Sequence, residues 1–464
     1  MLIPFFLLLG CAKMPPSSLP PLPQQSTVYK AKVDTLANQL TDNGWMNALS
    51  IALIHPNGIE YYNYGQQSAE TPLPPTQDSI YEIGSVSKVF TSLILADLVV
   101  QNKVPLEAPL TDWSLKDWKI PSKDNVEISA LHLSTHTSGL PRLPFTFVPQ
   151  NWADPYAEFG PADLKASLSK TTLATTPGEK NLYSNVGTGL LGYALTQKTG
   201  KSYQELLSEH ITEPLQLQHT SVEPTEENSS LRIPGHDMSG AVTPDWNMPT
   251  LIGMGEINSS ASDLLRFLSV QLDPSPTSIA KAIQKTQESY HETEAGFMGL
   301  GWHNGIDNYS DVTWHTGGTG GARSFVGFSQ KEGFGVVVLN NNATPFNSEL
   351  ALSLIAMLKG EERPLKLPNL VDLTAEELSS FEGTYSLSPE LSITFTANKH
   401  RLIASIPMQP SVAVYPVKEN LFISVDSPIK FEFERSEDGT VSKMFLHQND
   451  NRIPAPKAIP QESK

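Results

Sequence analysis

Cysteine is almost absent: among 464 residues the only one is Cys11. A lone cysteine excludes an intrachain disulfide, a cysteine-based zinc cluster and an iron–sulfur centre. Basic residues are also scarce. There are 32 Lys and Arg against 49 Asp and Glu, a net charge of −17. A surface that acidic argues against nucleic acid as a partner, because phosphate contacts need a basic patch. No apolar run reaches the ~18 residues that cross a bilayer. Charged residues are 17% and hydrophobic residues 39%, so the chain is not a charge-rich disordered one. Glycine has no period of three, which excludes collagen. Proline is in excess, 37 of 464 or about 8% against an average of about 5%. That fits many loops and at least one linker. At roughly 100–200 residues per domain, the length allows two to four domains.

The first eleven residues read MLIPFFLLLGC. Their apolar run has the length of a signal-peptide core. Leu8-Leu9-Gly10-Cys11 looks like a bacterial lipobox, with the only cysteine where acylation needs it. Residues 12–27 follow as a proline-rich tether that would hold a domain off a membrane. The expectation is a lipoprotein of the bacterial envelope facing the periplasm, anchored by its acyl chains. Ala12 carries no acidic retention signal, which favours the outer membrane over the inner. No Lys or Arg precedes Cys11, which a start codon misplaced downstream of the true one would explain.

Apolar spacing predicts a helix within 28–41, and ALSIALIH and IEYYNYG flank a Pro-Asn-Gly hairpin turn. A long apolar helix is expected over about 85–101, and others from Ser184 to before Gly200 and from near Ser262. Strand character returns at 312–316, 322–329 and 334–340, before a helix at 347–358. Strands from both ends of this region should share one antiparallel sheet, with helices inserted between. Residues 361–371 read as a linker. A capping box at Thr374–Glu377 then opens a second domain, 372–455, with six short β-like runs in a small antiparallel barrel or sandwich.

The chemistry begins with Ser85-Val86-Ser87-Lys88. A spacing of three puts both side chains on one helical face. The helix is apolar almost all round, so Lys88 should lose solvation, and the helix dipole also disfavours its charge. A neutral amine can take the proton of a serine hydroxyl. Ser85 at a helix N-terminus also offers a free backbone N–H, half of an oxyanion hole. Alone, this motif is common and reads first as an N-cap beside a chance lysine. Two further elements follow. Tyr183-Ser184-Asn185 lies at a loop-to-helix junction, where a phenol can relay a proton and an amide can hold the lysine and a substrate carbonyl. His315-Thr316-Gly317-Gly318 ends a strand whose small residues would let a substrate backbone lie along its edge, with the Gly318 N–H as second oxyanion donor.

These three motifs, in this order, resemble the penicillin-recognising serine hydrolases. The Tyr-x-Asn form is similar to the class C β-lactamase branch, which also holds D-alanyl-D-alanine carboxypeptidases and endopeptidases, D-aminopeptidases and family VIII esterases. YEIGSVSKVFTSLILADL, LHLSTHTSGLPRLP, PGEKNLYSN, GEINSSASDLLRF, GLGWH and WHTGGTGGARSFVGF carry the likeness over about 45–360. It implies an α/β (α+β) fold with an antiparallel sheet flanked by helices, plus an all-helical insertion, in a domain spanning 28–360. The tail resembles, more weakly, a lipocalin-like barrel. It further implies Ser85 as nucleophile, Lys88 as base, Tyr183 as relay and Asn185 as positioner. Ser85 and Gly318 would hold the oxyanion, and His315, Thr316 and Gly317 would bind substrate. No cofactor or metal is implied. Peptidoglycan stem peptides are the expected substrates, with small esters or β-lactams as alternatives and a catalytically silent penicillin- or cell-wall-binding protein as the rival.

One departure matters. His315 stands where β-lactamases mostly have lysine. With an ordinary pKa near 6.5 it would be mostly neutral at pH 7 and charge as pH falls toward 6. Strong β-lactamase activity is therefore not expected. Arg323, eight residues on, is a candidate for the missing cation, with a structural arginine as the alternative. His132 and His136 have metal-pair spacing, but Leu133 replaces the glutamate of H-E-x-x-H, so no zinc site is expected.

Overall fold

The computed structural model describes residues 19 and 21–458, apart from 114, 399, 408 and 410. Cys11 and the first part of the tether lie outside them. The end of the tether is joined to the domain: Ser26 N–H donates to the Ile59 carbonyl at 2.8 Å, and Ile59 N–H to that of Gln24 at 3.0 Å.

An eight-stranded antiparallel sheet organises the first domain. Its order is Gly58–Gly65, Ala48–His55, Phe334–Asn340, Arg323–Ser329, Tyr309–Gly318, His303–Ile306, Phe297–Met298, His291–Glu292. The first two strands and the later ones thus share a sheet, as the sequence predicts. Alternation puts Leu49, Ile51 and Leu53 on one face and Ala52 and Ile54 on the other. Helices Lys30–Thr41 and Phe346–Leu358 cover the first face. The second carries Ala261–Leu272 and Ser87–Val100, the latter buried at every position from Ser87 to Leu98. A helix apolar on all sides belongs in the interior, and this one carries Lys88 there. Between the strands lies a mostly helical insertion, which also holds the short ribbons Ser122–Lys123 with Val126–Glu127 and Gly235–His236 with Val242–Thr243.

The second domain is an up-and-down antiparallel near-barrel of eight strands from Gly383–Ser386 to Asn451–Pro456. Ala458 N–H reaches back to the Thr384 carbonyl at 2.7 Å and brings the ends together. Sequence patterning gives six of these strands. It misses Gly383–Ser386, which is only four residues long, and Asn451–Pro456, whose Pro454 and Pro456 argue against a strand. At the seam of a barrel, proline is tolerated because no ladder donor is needed there.

The linker is not free. Arg363 pairs with Glu349 at 2.9 Å, and Leu365 and Leu367 pack on the same cluster as the first sheet face. The barrel joins that cluster through Ile403, Ala413 and Tyr415. The Tyr415 ring lies 4.2 Å from Trp45, and Trp45 lies 4.7 Å edge-on to Phe346. Tyr415→Ala is expected to lower stability by about 2–4 kcal/mol, since it opens a cavity in a shared core. The check is thermal unfolding of the purified full chain; an unchanged midpoint would show that the barrel adds nothing to this core.

Candidate active site

Ser85 sits in the single turn Gly84–Val86 that precedes the buried helix. Its N–H comes before the first helical hydrogen bond, Val86 N–H to the Ile83 carbonyl at 3.2 Å, and so has no partner inside the helix. The turn is pressed against the end of strand Tyr309–Gly318. A Cβ on Gly84 would lie 2.5 Å from the Gly318 nitrogen, and one on Gly317 would lie 1.9 Å from the Ile83 carbonyl oxygen. Gly84 also has a φ of +49°, a region that favours glycine. Two backbone segments can approach this closely only because both lack side chains. The Ser85 and Gly318 amides thereby become neighbours. Ser324 Oγ–H closes the joint by donating to the Ile83 carbonyl at 2.7 Å.

Lys88 lies one helical turn behind Ser85 and is 1% exposed. Its Nζ is 2.9 Å from Ser85 Oγ and 2.6 Å from the Met254 carbonyl oxygen. No carboxylate pairs with it among the described residues. Burial holds its pKa well below the usual lysine range, and the Arg142 charge pushes the same way. A neutral amine can donate one N–H to Met254 and keep its lone pair for the Ser85 proton. The lysine is thus held by a backbone carbonyl, where the sequence reading assigns that task to Asn185.

Tyr183 stands beside this pair, with its ring centroid 5.2 Å from Lys88 Nζ. Burial raises its phenol to about 12, and a hydrogen bond with Ser85 offsets part of that rise. At neutral pH it is a phenol, not a phenolate, and can pass a proton but not serve as the resting base. Ser184, between the two motif residues, caps helix Asn185–Thr199: its Oγ accepts from Gly187 N–H at 3.0 Å and donates to the Pro141 carbonyl at 2.7 Å. The cap explains why Tyr183 and Asn185 can both face the cleft. The Asn185 amide oxygen is buried without a protein partner and is free to take a substrate N–H.

His315 departs from expectation. It is 1% exposed, and burial, with the neighbouring His303, holds its pKa well below the usual histidine value. It stays neutral across the physiological range, so the expected charging near pH 6 does not occur. Its Nδ1 is 2.6 Å from the Thr316 carbonyl oxygen, which can only accept. The proton therefore sits on Nδ1, and Nε2 is a bare acceptor without a partner. Arg323 lines the cleft but is no free cation either. Its guanidinium donates to the Thr319 and Ala322 carbonyls at 2.6 and 2.9 Å, and Asp426 of the barrel faces it.

Ser85, Tyr183, Asn185, His315, Thr316, Gly317, Gly318 and Arg323 all line one cleft of about 700 Å³, with Lys88 behind its wall. His303 also lines the cleft, and His136 backs Tyr183 behind it, roles the sequence does not reveal. His303 stacks at 4.8 Å on Trp314 and 5.2 Å from His315, and burial lowers its pKa to about 4. His136 lies 4.4 Å from the Tyr183 ring and accepts from Ser184 N–H through Nδ1 at 3.2 Å. His132 instead closes a capping box with Ser129, so the two histidines form no metal pair. GLGWH and LHLSTHTSGLP contain these residues, but spacing alone gives no role for either. The Met254 carbonyl, being backbone, leaves no signal in the residue types.

A family model described as Beta-lactamase matches residues 33–356. The chain belongs to the β-lactamase family and is a serine hydrolase of the β-lactamase and penicillin-binding protein superfamily. It is 27% identical over 376 residues to a β-lactamase of Pseudomonas fluorescens, covering 73% of this chain and all of that one. It is 28% identical over 366 residues to the D-alanyl-D-alanine-carboxypeptidase/endopeptidase AmpH of Escherichia coli (strain K12), covering 72% and 91%. Among solved structures, a class C β-lactamase superposes with a TM-score of 0.62 at 20% identity over 73% of this chain and 97% of its own. An octameric penicillin-binding protein homologue from Pyrococcus abyssi gives 0.64 at 21% identity, over 92% of this chain and 99% of its own. The fold implied by the sequence is therefore the fold observed.

The depressed Lys88 sets the sign of the pH dependence. An amine with a lowered pKa is neutral above that value and charges below it, so acylation of Ser85 should be lost as pH falls through that lowered value and be present well below the ordinary lysine range. Tyr183, at about 12, should cause no loss until strongly alkaline pH. The measurement is the acylation rate with an uncharged ester from pH 5 to 10. A rate that rises only near pH 10 would mean that Lys88 titrates as an ordinary lysine.

Proposed function

We propose that Ser85 is the nucleophile of an acyl-transfer reaction and that the protein hydrolyses D-alanyl peptides of peptidoglycan, as a carboxypeptidase or endopeptidase. The observation that carries the mechanism is the 2.9 Å contact between Ser85 Oγ and an amine kept neutral by burial. Ser85 attacks the scissile carbonyl while Lys88 accepts its proton. The N–H groups of Ser85 and Gly318 take the developing oxyanion. Tyr183 relays that proton from Lys88 to the leaving amine, and water then hydrolyses the Ser85 ester, releasing the acid and returning the hydroxyl to Ser85. Asn185 receives a substrate amide.

Two features favour a peptide. Strand Tyr309–Gly318 pairs with His303–Ile306 only as far as Trp314, while its other edge pairs with Arg323–Ser329 to Gly318. One edge of His315–Gly318 therefore remains open along the cleft, and an extended peptide can add there as a further strand. The site also lacks the lysine that β-lactamases mostly have at position 315, and burial pushes the His315 there toward its neutral form. The AmpH relative, named for its action on D-alanyl-D-alanine, supports the same substrate class. The β-lactamase relative of P. fluorescens favours β-lactam hydrolysis as the second reading. The lipobox reading of Cys11 would place the enzyme at the envelope, where stem peptides are found.

Ser85→Ala removes one hydroxyl and should abolish turnover, by at least about a thousandfold, with no change in fold. The assay compares purified muropeptides, D-alanyl esters, simple p-nitrophenyl esters and nitrocefin, with circular dichroism as the folding control. Preferred cleavage of nitrocefin would replace the peptidase reading with the β-lactamase one. Undiminished turnover by Ser85→Ala would remove Ser85 from the mechanism. A folded wild type that binds fluorescent penicillin and never releases it would favour a silent binder.

A further inference from the structure

Five cationic or potentially cationic side chains besides Arg142 lie at or behind the cleft, and burial or a facing carboxylate offsets the charge of each. Loss of solvation pushes Lys88, His136, His303 and His315 toward their neutral forms. Arg323 is tied through Nη1 to the Thr319 and Ala322 carbonyls, and Asp426 faces it and offsets its charge. Arg142 differs. Its side chain makes no hydrogen bond and no ion pair among the described residues, in a protein with 49 acidic residues against 32 basic ones. Its backbone is nonetheless fixed: the Arg142 carbonyl accepts from the N–H groups of Asn185 at 3.0 Å and Val186 at 3.4 Å, at the start of the helix that carries the second motif. The guanidinium carbon lies 5.1 Å from the centroid of the Tyr183 ring, a cation–π contact that holds the charge at the cleft wall. Arg142 is exposed and lines the same cleft as Ser85.

We infer that Arg142 determines specificity by pairing with a carboxylate carried on the substrate, so that anionic acyl groups are preferred over neutral ones. The inference rests on the acyl-transfer reading above. An arginine can take a carboxylate with two parallel N–H bonds, and such charge-assisted pairs are the stronger ones. An acidic protein repels anionic substrates at long range, and a lone cation in the cleft gives that repulsion a local exception. The selection by charge expected of a lysine at position 315 thus passes to a residue on a different element.

The test uses two p-nitrophenyl esters, one whose acyl chain ends in a carboxylate and its methyl-ended isostere, with wild type, Arg142→Gln and Arg142→Lys. The readout is the ratio of kcat/KM for the anionic ester over the neutral one. Arg142→Gln should lower that ratio by about tenfold to a hundredfold, and Arg142→Lys should restore part of it. Raising the ionic strength should shrink the wild-type ratio, because an exposed pair is screened, and should leave that of Arg142→Gln nearly flat. If Arg142 served only to set the Tyr183 ring or its acidity, both esters would slow together and the ratio would hold. An unmoved ratio, with both esters turned over, overturns the Arg142 assignment alone. If the wild type turns over neither ester, the preference for anionic acyl groups is overturned, while the acyl-transfer reading stands or falls by the muropeptide and nitrocefin assay.

Discussion

The Lys88 amine lies between the Ser85 hydroxyl and the Met254 carbonyl, with no carboxylate to pair with among the described residues, and the chemistry of the cleft depends on that pairing pattern. An acid within about 4–6 Å would lift the lysine pKa by one to three units, whereas burial can lower it by three to five. With no acid there among the described residues, desolvation wins and pushes the amine toward its neutral form. The same dryness acts on its neighbours. It lowers His136, His303 and His315 and raises Tyr183. Lys88, these three histidines and Tyr183 are thereby all pushed toward their uncharged forms. A proton can then move among them without a charge being stranded in a poorly solvated wall.

That wall requires two chain segments to meet closer than ordinary residues allow. Gly84 on the helical turn and Gly317 on the strand are each opposed by backbone, at distances that no Cβ could share. The apolar helix Ser87–Val100 packs under the sheet, so its N-terminus can reach the strand only at this point. Packing and oxyanion geometry are one constraint here. The burial that removes solvent from Lys88 also drives the Ser85 and Gly318 amides together.

The motifs were legible because their chemistry needs fixed residue types at fixed local spacing. Ser85 and Lys88 share a helical face, the Ser184 cap turns Tyr183 and Asn185 toward one cleft, and Gly317 and Gly318 mark a close approach. The sheet was legible because ALSIALIH and FGVVVLN are too apolar to lie anywhere but inside. What residue types could not give was the surroundings. His315 reads as an ordinary histidine until His303, Trp314 and Tyr183 are seen to close around it, and burial then removes the charge its ordinary pKa would allow. The same holds for Arg323, which resembles a free cation in sequence and is tied to Thr319 and Ala322 in space. Arg142 shows the converse: nothing in LHLSTHTSGLPRLP distinguishes it from a surface arginine, and only its place over Tyr183 gives it meaning.

The change of texture beyond residue 360 reads as a separate module, yet the barrel is built into the core of the first domain. Tyr415 lies tilted against Trp45, Trp45 meets Phe346, and Phe346 opens the helix Phe346–Leu358 that backs the central strands. The residues just before and after Phe346, among them Thr344, Pro345 and Asn347, line the cleft. The barrel therefore buttresses one wall of the site through three aromatic rings in contact, while the proline-rich linker runs along the same surface. Such continuity stiffens the wall. It does not make a switch, because a switch needs a second arrangement of Trp45 and Phe346 for the barrel to favour, and tightly packed aromatic contacts of this kind resist one. The physical role of the barrel in this arrangement is support: it keeps apolar surface on Trp45 and Phe346 out of water and so holds in place the turn on which part of the cleft is built.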